Sequence, residues 1–154
     1  MSTTSTGPTF RRGDLWRSGA DLTCVTTNNV LSHHRRELVM GAGIAKQAAT
    51  RHAGLKRAAY DAIKRRADTH LYGFLPLEAP FERLALFQTK RHWRDPSTLE
   101  LISASVDSLR RYALEHPGQQ IALPYPGIGM GGLAPEAVRP LLLDLPSNVT
   151  VWSL

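Results

Sequence analysis

Residues 123–133 read LPYPGIGMGGL, and Gly127, Gly129, Gly131 and Gly132 all fall in this one stretch. Glycine loses more chain entropy on folding than any other residue and brings no side-chain contact. A turn that uses so many of them needs bare backbone. The stretch follows the apolar run Ile121–Ala122–Leu123, part of a short buried strand over 120–124. It precedes PEAVRPLLLDL (135–145), a helix that Pro140 limits or confines to a regular C-terminal part. A glycine-rich turn running from a strand toward a helix presents backbone N–H groups to an anion. Gly127, Gly129 and Gly132 also match G-x-G-x-x-G. The dinucleotide fingerprint, however, requires a further helix, a strand and an acid about 20 residues on. The chain after Gly132 supplies no such acid.

A second glycine-rich turn, VMGAGIAKQ (39–47), leads into the helix-prone segment 43–52. Neither turn carries the G-K-[ST] of a P-loop. Two such turns in one small basic domain point to a phosphate cradle. Around them, strands and helices alternate. DLTCVTT (21–27), THLYGFL (69–75), RLALFQT (83–89) and VTVWSL (149–154) read as strands. LKRAAYDAIKRRA (55–67) places Leu55, Ala58, Ala59, Ala62 and Ile63 on one helical face. The clearest helix is 98–115, with Leu99, Ile102, Val106, Leu109 and Ala113 as its apolar stripe. Ser97 and Glu100 form a candidate capping box, and Pro117–Gly118 ends the helix. This alternation predicts a three-layer α/β/α domain around a mostly parallel sheet, with ligands at the carboxyl ends of its strands.

The bulk numbers agree with one globular domain. The chain has 154 residues, 42% hydrophobic and 21% charged. No apolar run reaches membrane-span length. The N-terminus, MSTTSTGPTF, is polar and unlike a signal peptide. Residues 1–9 are expected to fray and 10–154 to form the domain. Cys24 is the single cysteine, so no intrachain disulfide forms, and a cytoplasmic monomer is the simplest expectation. A net charge of +6 favours an anionic partner such as nucleic acid or a nucleotide.

From Phe10 to Leu154 the chain resembles the macrodomain family, which binds ADP-ribose. RRGDLWRSGADLTCVTTNN resembles the family's opening strand-loop-strand. LVMGAGIAKQ resembles the first phosphate-binding loop of the branch that includes terminal ADP-ribose protein glycohydrolase and the antitoxin acting on ADP-ribosylated thymidine in DNA. TKRHWRDPS resembles the segment bearing that branch's functional lysine, and LPYPGIGMGGL resembles its second loop. The resemblance implies a three-layer fold with a mixed, mostly parallel sheet of about six strands. It implies that Asp14 accepts a hydrogen bond from the adenine amino group and that Asn28 contacts the distal ribose. Met40, Gly41, Gly43, Ile44 and Ala45 would wrap the diphosphate and distal ribose. Pro126, Gly127, Ile128, Gly129, Met130 and Gly131 would close over the diphosphate from the other side. Lys90 would attack C1″ of the distal ribose. Gly131 stands where the branch places an aspartate that resolves the adduct, so Lys90 acting alone, or an ordered water positioned by loop backbone and phosphate, is the remaining route.

From the residues alone, Asp14 also reads as a turn or cap carboxylate and Asn28 as a turn residue. A lysine nucleophile needs desolvation or neighbouring positive charge, and Arg91, His92 and Arg94 supply the latter. Trp93 and His92 read either as a stacking surface for a base or ribose or, for Trp93, as core. Cys24 reads as packing, Tyr125 as pocket lining or a surface strand-end aromatic, and His33–His34 within SHHRRE as a surface loop that could meet a nucleic acid or protein. No metal site and no cofactor is expected. The expected function is removal of ADP-ribose from an acidic protein side chain or from thymidine in DNA, with a non-catalytic ADP-ribose reader as the alternative.

Overall fold

The computed structural model describes residues 7–66 and 71–154. Its strands are β1 (Thr9–Arg12), β2 (Leu22–Thr27), β3 (Leu31–Ser32), β4 (Glu37–Leu38), β5 (Phe74–Pro76), β6 (Leu84–Gln88), β7 (Ile121–Pro124) and β8 (Val149–Ser153). Its helices are α1 (Gly43–Arg51), α2 (Leu55–Arg66), α3 (Leu99–Glu115) and α4 (Pro135–Leu142). Six strands make one sheet in the order β1-β8-β7-β2-β6-β5, while β3 and β4 form a separate antiparallel pair. Every neighbouring pair in the large sheet is parallel except β5 with β6. This is the mixed, mostly parallel six-stranded sheet expected.

Burial on both faces explains why the central strands are apolar along their whole length. Along β6, Leu84 and Leu86 point into a core shared with Leu55, Ala59 and Ile63 of α2. Ala85 and Phe87 point the other way, into a core shared with Ile102, Val106 and Leu109 of α3 and Val138 of α4. One sheet face is thus covered by α1 and α2 and the other by α3 and α4. Because β1, β8, β7, β2 and β6 run parallel, their carboxyl ends lie along one edge of the layer. The segments following Arg12, Thr27, Gln88 and Pro124 therefore emerge together.

Several local expectations change. The segment 69–75 is a strand only from Phe74. His70 and Thr69 lie outside the described residues, while the N–H groups of Tyr72 and Gly73 both donate to the buried Gln88 Oε1, at 3.0 and 3.2 Å, instead of to a neighbouring strand. Helix α3 is capped by Thr98, whose hydroxyl accepts from Leu101 N, and not by a Ser97–Glu100 box. Ser97 is drawn out of that role because its own N–H donates to Gly131 O at 2.9 Å. Leu99 leaves the apolar stripe and is exposed. Helix α4 begins at Pro135 and runs through Pro140, so its regular part is not C-terminal. The bond that Pro140 cannot make is the one to the carbonyl of Glu136, an exposed first-turn residue that water can satisfy. The chain is ordered into the sheet one residue before Phe10, with Thr9 opposite Thr150. Residues 1–6 of the expected frayed segment lie outside the described residues.

Candidate functional site

The sheet edge just defined carries most of the residues singled out from sequence. Asn28 follows β2 and is buried. Its Oδ1 accepts from Val30 N at 2.9 Å and its Nδ2 donates to Val39 O at 3.1 Å. Its backbone oxygen accepts from the buried Tyr72 hydroxyl at 2.7 Å. The turn-residue reading of Asn28 is therefore realised, with a consequence: its amide ties the end of β2 to the start of the first glycine-rich loop. Met40 then sends its side chain into the α1–α2 core, leaving Gly41, Ala42 and Gly43 exposed.

Helix α1 begins at Gly43 behind Ala42, and no side chain caps it. Its first N–H groups, those of Gly43, Ile44 and Ala45, have no carbonyl one turn back within the helix to bond. They sit at the positive end of the helix dipole, the geometry that favours a phosphate. An added Cβ at Gly41 or Gly43 would meet nothing within 4 Å, so the loop face is open.

The second loop is stapled at both ends. Tyr125 N donates to Trp152 O at 2.8 Å, and Leu133 N donates to Gly127 O at 2.9 Å. Between them Gly129–Gly131 forms a single 3-10 turn. The glycines divide into two kinds. At Gly127, φ is +79° and an added Cβ would lie 2.4 Å from Ile102 Cδ1. At Gly131 it would lie 2.6 Å from Ser97 Oγ. These two are bare because the protein itself fills the space. Gly129, at φ +63°, has nothing within 4 Å and is exposed, as Gly41 and Gly43 are. Pro126 is buried, Ile128 half-buried, and Met130 stands out with 75% of its surface exposed.

Lys90 joins the two halves. It follows β6, where Lys90 N and Thr89 N reach Thr27 O at 3.4 and 2.9 Å. Its carbonyl accepts from Gln88 Nε2 at 3.2 Å. Its Nζ donates to Met130 O at 3.3 Å and to Trp93 O at 3.5 Å. The amine thus rests on the carbonyl side of the second loop, reached from a strand end. No acid shares that loop turn, and a side chain at Gly131 would crowd Ser97, whose Oγ would have to turn away and whose Cβ would lie 3.2 Å from the added one. The Ser97 hydroxyl is buried and has no hydrogen-bond partner among the described residues.

Asp14 lies at the carboxyl end of β1, exposed, with Oδ1 accepting from Trp16 N at 3.0 Å. It caps the short 3-10 turn Leu15–Arg17. Beside it, Gly13 has φ +144° and packs on the Trp152 ring. Trp93 is not core; 46% of its surface is exposed. Cys24 is wholly buried, and burial pushes its thiol far up from the ordinary range. Tyr125 packs on the α3–α4 core and donates to Pro135 O at 2.6 Å, so its hydroxyl fixes the entry to α4. His33 Nδ1 pairs with the Tyr60 hydroxyl at 2.8 Å, and the SHHRRE segment forms the β3–β4 hairpin, a feature with no period long enough to read from sequence. Among the described residues no group of three His, Cys, Asp or Glu side chains could hold a metal. No helix there is long and apolar enough to cross a membrane. Ser97 is the site residue that sequence reasoning missed in this role, because a serine beside a threonine before a helix reads as a cap.

No protein-family model matches the chain. A curated relative from Mycobacterium tuberculosis, named DNA ADP-ribosyl glycohydrolase, is 34% identical over 140 residues, which cover 88% of this chain and 38% of the relative. The chain therefore spans well under half the length of that protein. Among solved structures, the macrodomain of Mycobacterium tuberculosis DarG superposes with a TM-score of 0.71 at 28% identity, covering 97% of this chain and 99% of that one. The macrodomain of Thermus aquaticus DarG gives a TM-score of 0.72 at 28% identity, over 94% of this chain and 95% of that one. A mixed, mostly parallel sheet with two glycine-rich loops at its carboxyl edge, matched over nearly its whole length in this way, makes the chain a member of the macrodomain family. Within that family it belongs with the DarG macrodomains.

Proposed function

We propose that the chain is an ADP-ribosyl glycohydrolase that releases ADP-ribose from modified DNA. One observation carries the reading: Lys90 Nζ lies 3.3 Å from Met130 O, so the amine and the second loop share one spot on the sheet edge. The uncapped start of α1 supplies N–H donors for the diphosphate, and Asp14 supplies an acceptor for the adenine amino group from the far end of the sheet. Charge development at C1″ is then met by fixed backbone dipoles in place of mobile solvent. In the lysine route, the neutral amine bonds through Nζ to C1″ as the glycosidic bond breaks, and the proton the amine gives up passes to the departing base. Water then hydrolyses the sugar–lysine adduct and restores the amine. The name carried by the mycobacterial relative supports DNA over protein as the substrate.

Incubation with an ADP-ribosylated oligonucleotide and with an ADP-ribosylated protein, followed by detection of free ADP-ribose, tests the reading. Release from the oligonucleotide is expected, and Lys90→Ala lowers its rate by about 100-fold or more. Full activity in Lys90→Ala removes the lysine route and leaves water as the attacking group. Tight ADP-ribose binding with no release from either substrate establishes the second reading, a non-catalytic reader. The feature favouring that reading is Gly131, where Ser97 holds the space an acid would need.

A further inference from the structure

After Lys90 the chain crosses the surface as Arg91–His92–Trp93–Arg94 before Ser97 turns it into α3. Tryptophan has one of the largest apolar surfaces of any side chain, and here nearly half of it faces solvent. The ring is nonetheless held. The Arg94 guanidinium lies 4.9 Å from its centroid, and the His92 ring lies 5.1 Å away at 32°. Arg94 N donates to His92 Nδ1 at 3.0 Å, which fixes the histidine against the same segment. Trp93 O accepts from Lys90 Nζ, which also reaches Met130 O. The amine is therefore held by the backbone carbonyls of two residues that each carry a large exposed side chain, the Trp93 indole with cations beside it and the Met130 thioether.

We infer that Trp93 is a stacking platform for a nucleobase of a single strand, gripping the group attached to C1″ with Arg94 and Met130 beside it. The inference rests on the proposed reading of Lys90. It adds the reason that a nucleic acid suits this site. A base has a π face for the indole and lies next to a phosphate for the arginines; a carboxylate ester has no such face. Aromatic platforms flanked by basic residues are how proteins hold single strands without reading sequence. Duplex bases are already stacked on one another, so the platform selects single strands.

The test uses Trp93→Ala and Trp93→Phe, each checked for an unchanged thermal melt. Free ADP-ribose affinity is measured by calorimetry. Binding and cleavage are measured on an ADP-ribosylated single-stranded oligonucleotide, its duplex form and an ADP-ribosylated protein. Trp93→Ala is expected to keep its affinity for free ADP-ribose and to lose about 5- to 150-fold in affinity for the modified single strand. Trp93→Phe recovers most of that loss. Equal losses on strand, protein and free ADP-ribose, or no loss on the strand, overturn the platform. Should the wild type bind ADP-ribose but cleave nothing, the glycohydrolase reading falls. The strand-binding comparison then still decides whether Trp93 stacks a base.

Discussion

Gly127 and Gly129 stand two positions apart in one loop, both at positive φ, yet their surroundings are opposite. Alanine at 127 must hold a left-handed φ and displace Ile102 Cδ1 from 2.4 Å. Alanine at 129 meets open space and must only tolerate its φ of +63°. Gly127→Ala is therefore expected to cost about 3 kcal/mol or more of stability, and Gly129→Ala about 1–2 kcal/mol. Denaturant midpoints measure the difference. ADP-ribose affinity is expected to fall further in Gly129→Ala than its small stability loss explains, because only there does the new methyl enter the open space proposed for the ligand. The density of glycine was legible in the sequence as a need for bare backbone. Which glycine faces open space and which makes room for Ile102 was not, because the answer depends on a helix about 25 residues upstream.

Helix α3 shows the same limit at the scale of an element. Its period placed Ile102, Val106, Leu109 and Ala113 correctly in the core, since 3.6 residues per turn fixes one face whatever it packs on. Its first residue was misplaced, because Ser97 and Thr98 are equally good caps by chemistry. The decision was made by the second loop, whose Gly131 carbonyl takes the Ser97 N–H. Thr98→Ala is expected to cost about 1 kcal/mol, measured by thermal or denaturant unfolding. Ser97→Ala, which removes a buried hydroxyl without a partner, is expected to be neutral or slightly stabilising. A loss at Ser97 equal to that at Thr98 would return the cap to the serine. The short β3–β4 pair was not legible at all: two-residue strands carry no alternation to detect.

Across the whole molecule, the layered order of strands and helices was readable because a sheet buried on both faces demands apolar strands without alternation. The same burial has a titration signature. Cys24 and Tyr72 lie in the interior, and burial pushes both groups up from their ordinary values. Both therefore stay protonated in the fold, while the unfolded chain releases their protons above about pH 8.5 for the thiol and about pH 10 for the phenol. Their contribution is fully present below those values and is lost as pH rises through them. Unfolding followed from pH 7 to 11 is expected to show stability falling from about pH 8.5 onward. Cys24→Ser should remove the first part of that fall. A thiol reagent should label Cys24 in the native protein no faster than the protein opens.

The pairing of β1 with β8 sets Thr9 beside Thr150 and Arg12 beside Ser153. The earliest strand of these 154 residues thus waits for the latest one before it has an edge to join. During synthesis the interior strands β2, β6 and β7 can associate while β1 still hangs unpaired. Gly13 and Asp14, which trail directly from β1, take their places only when that final zipper closes. A chain stalled before Val149 would already carry Lys90 and both glycine-rich loops, while the segment bearing Asp14 still lacked the edge that positions it.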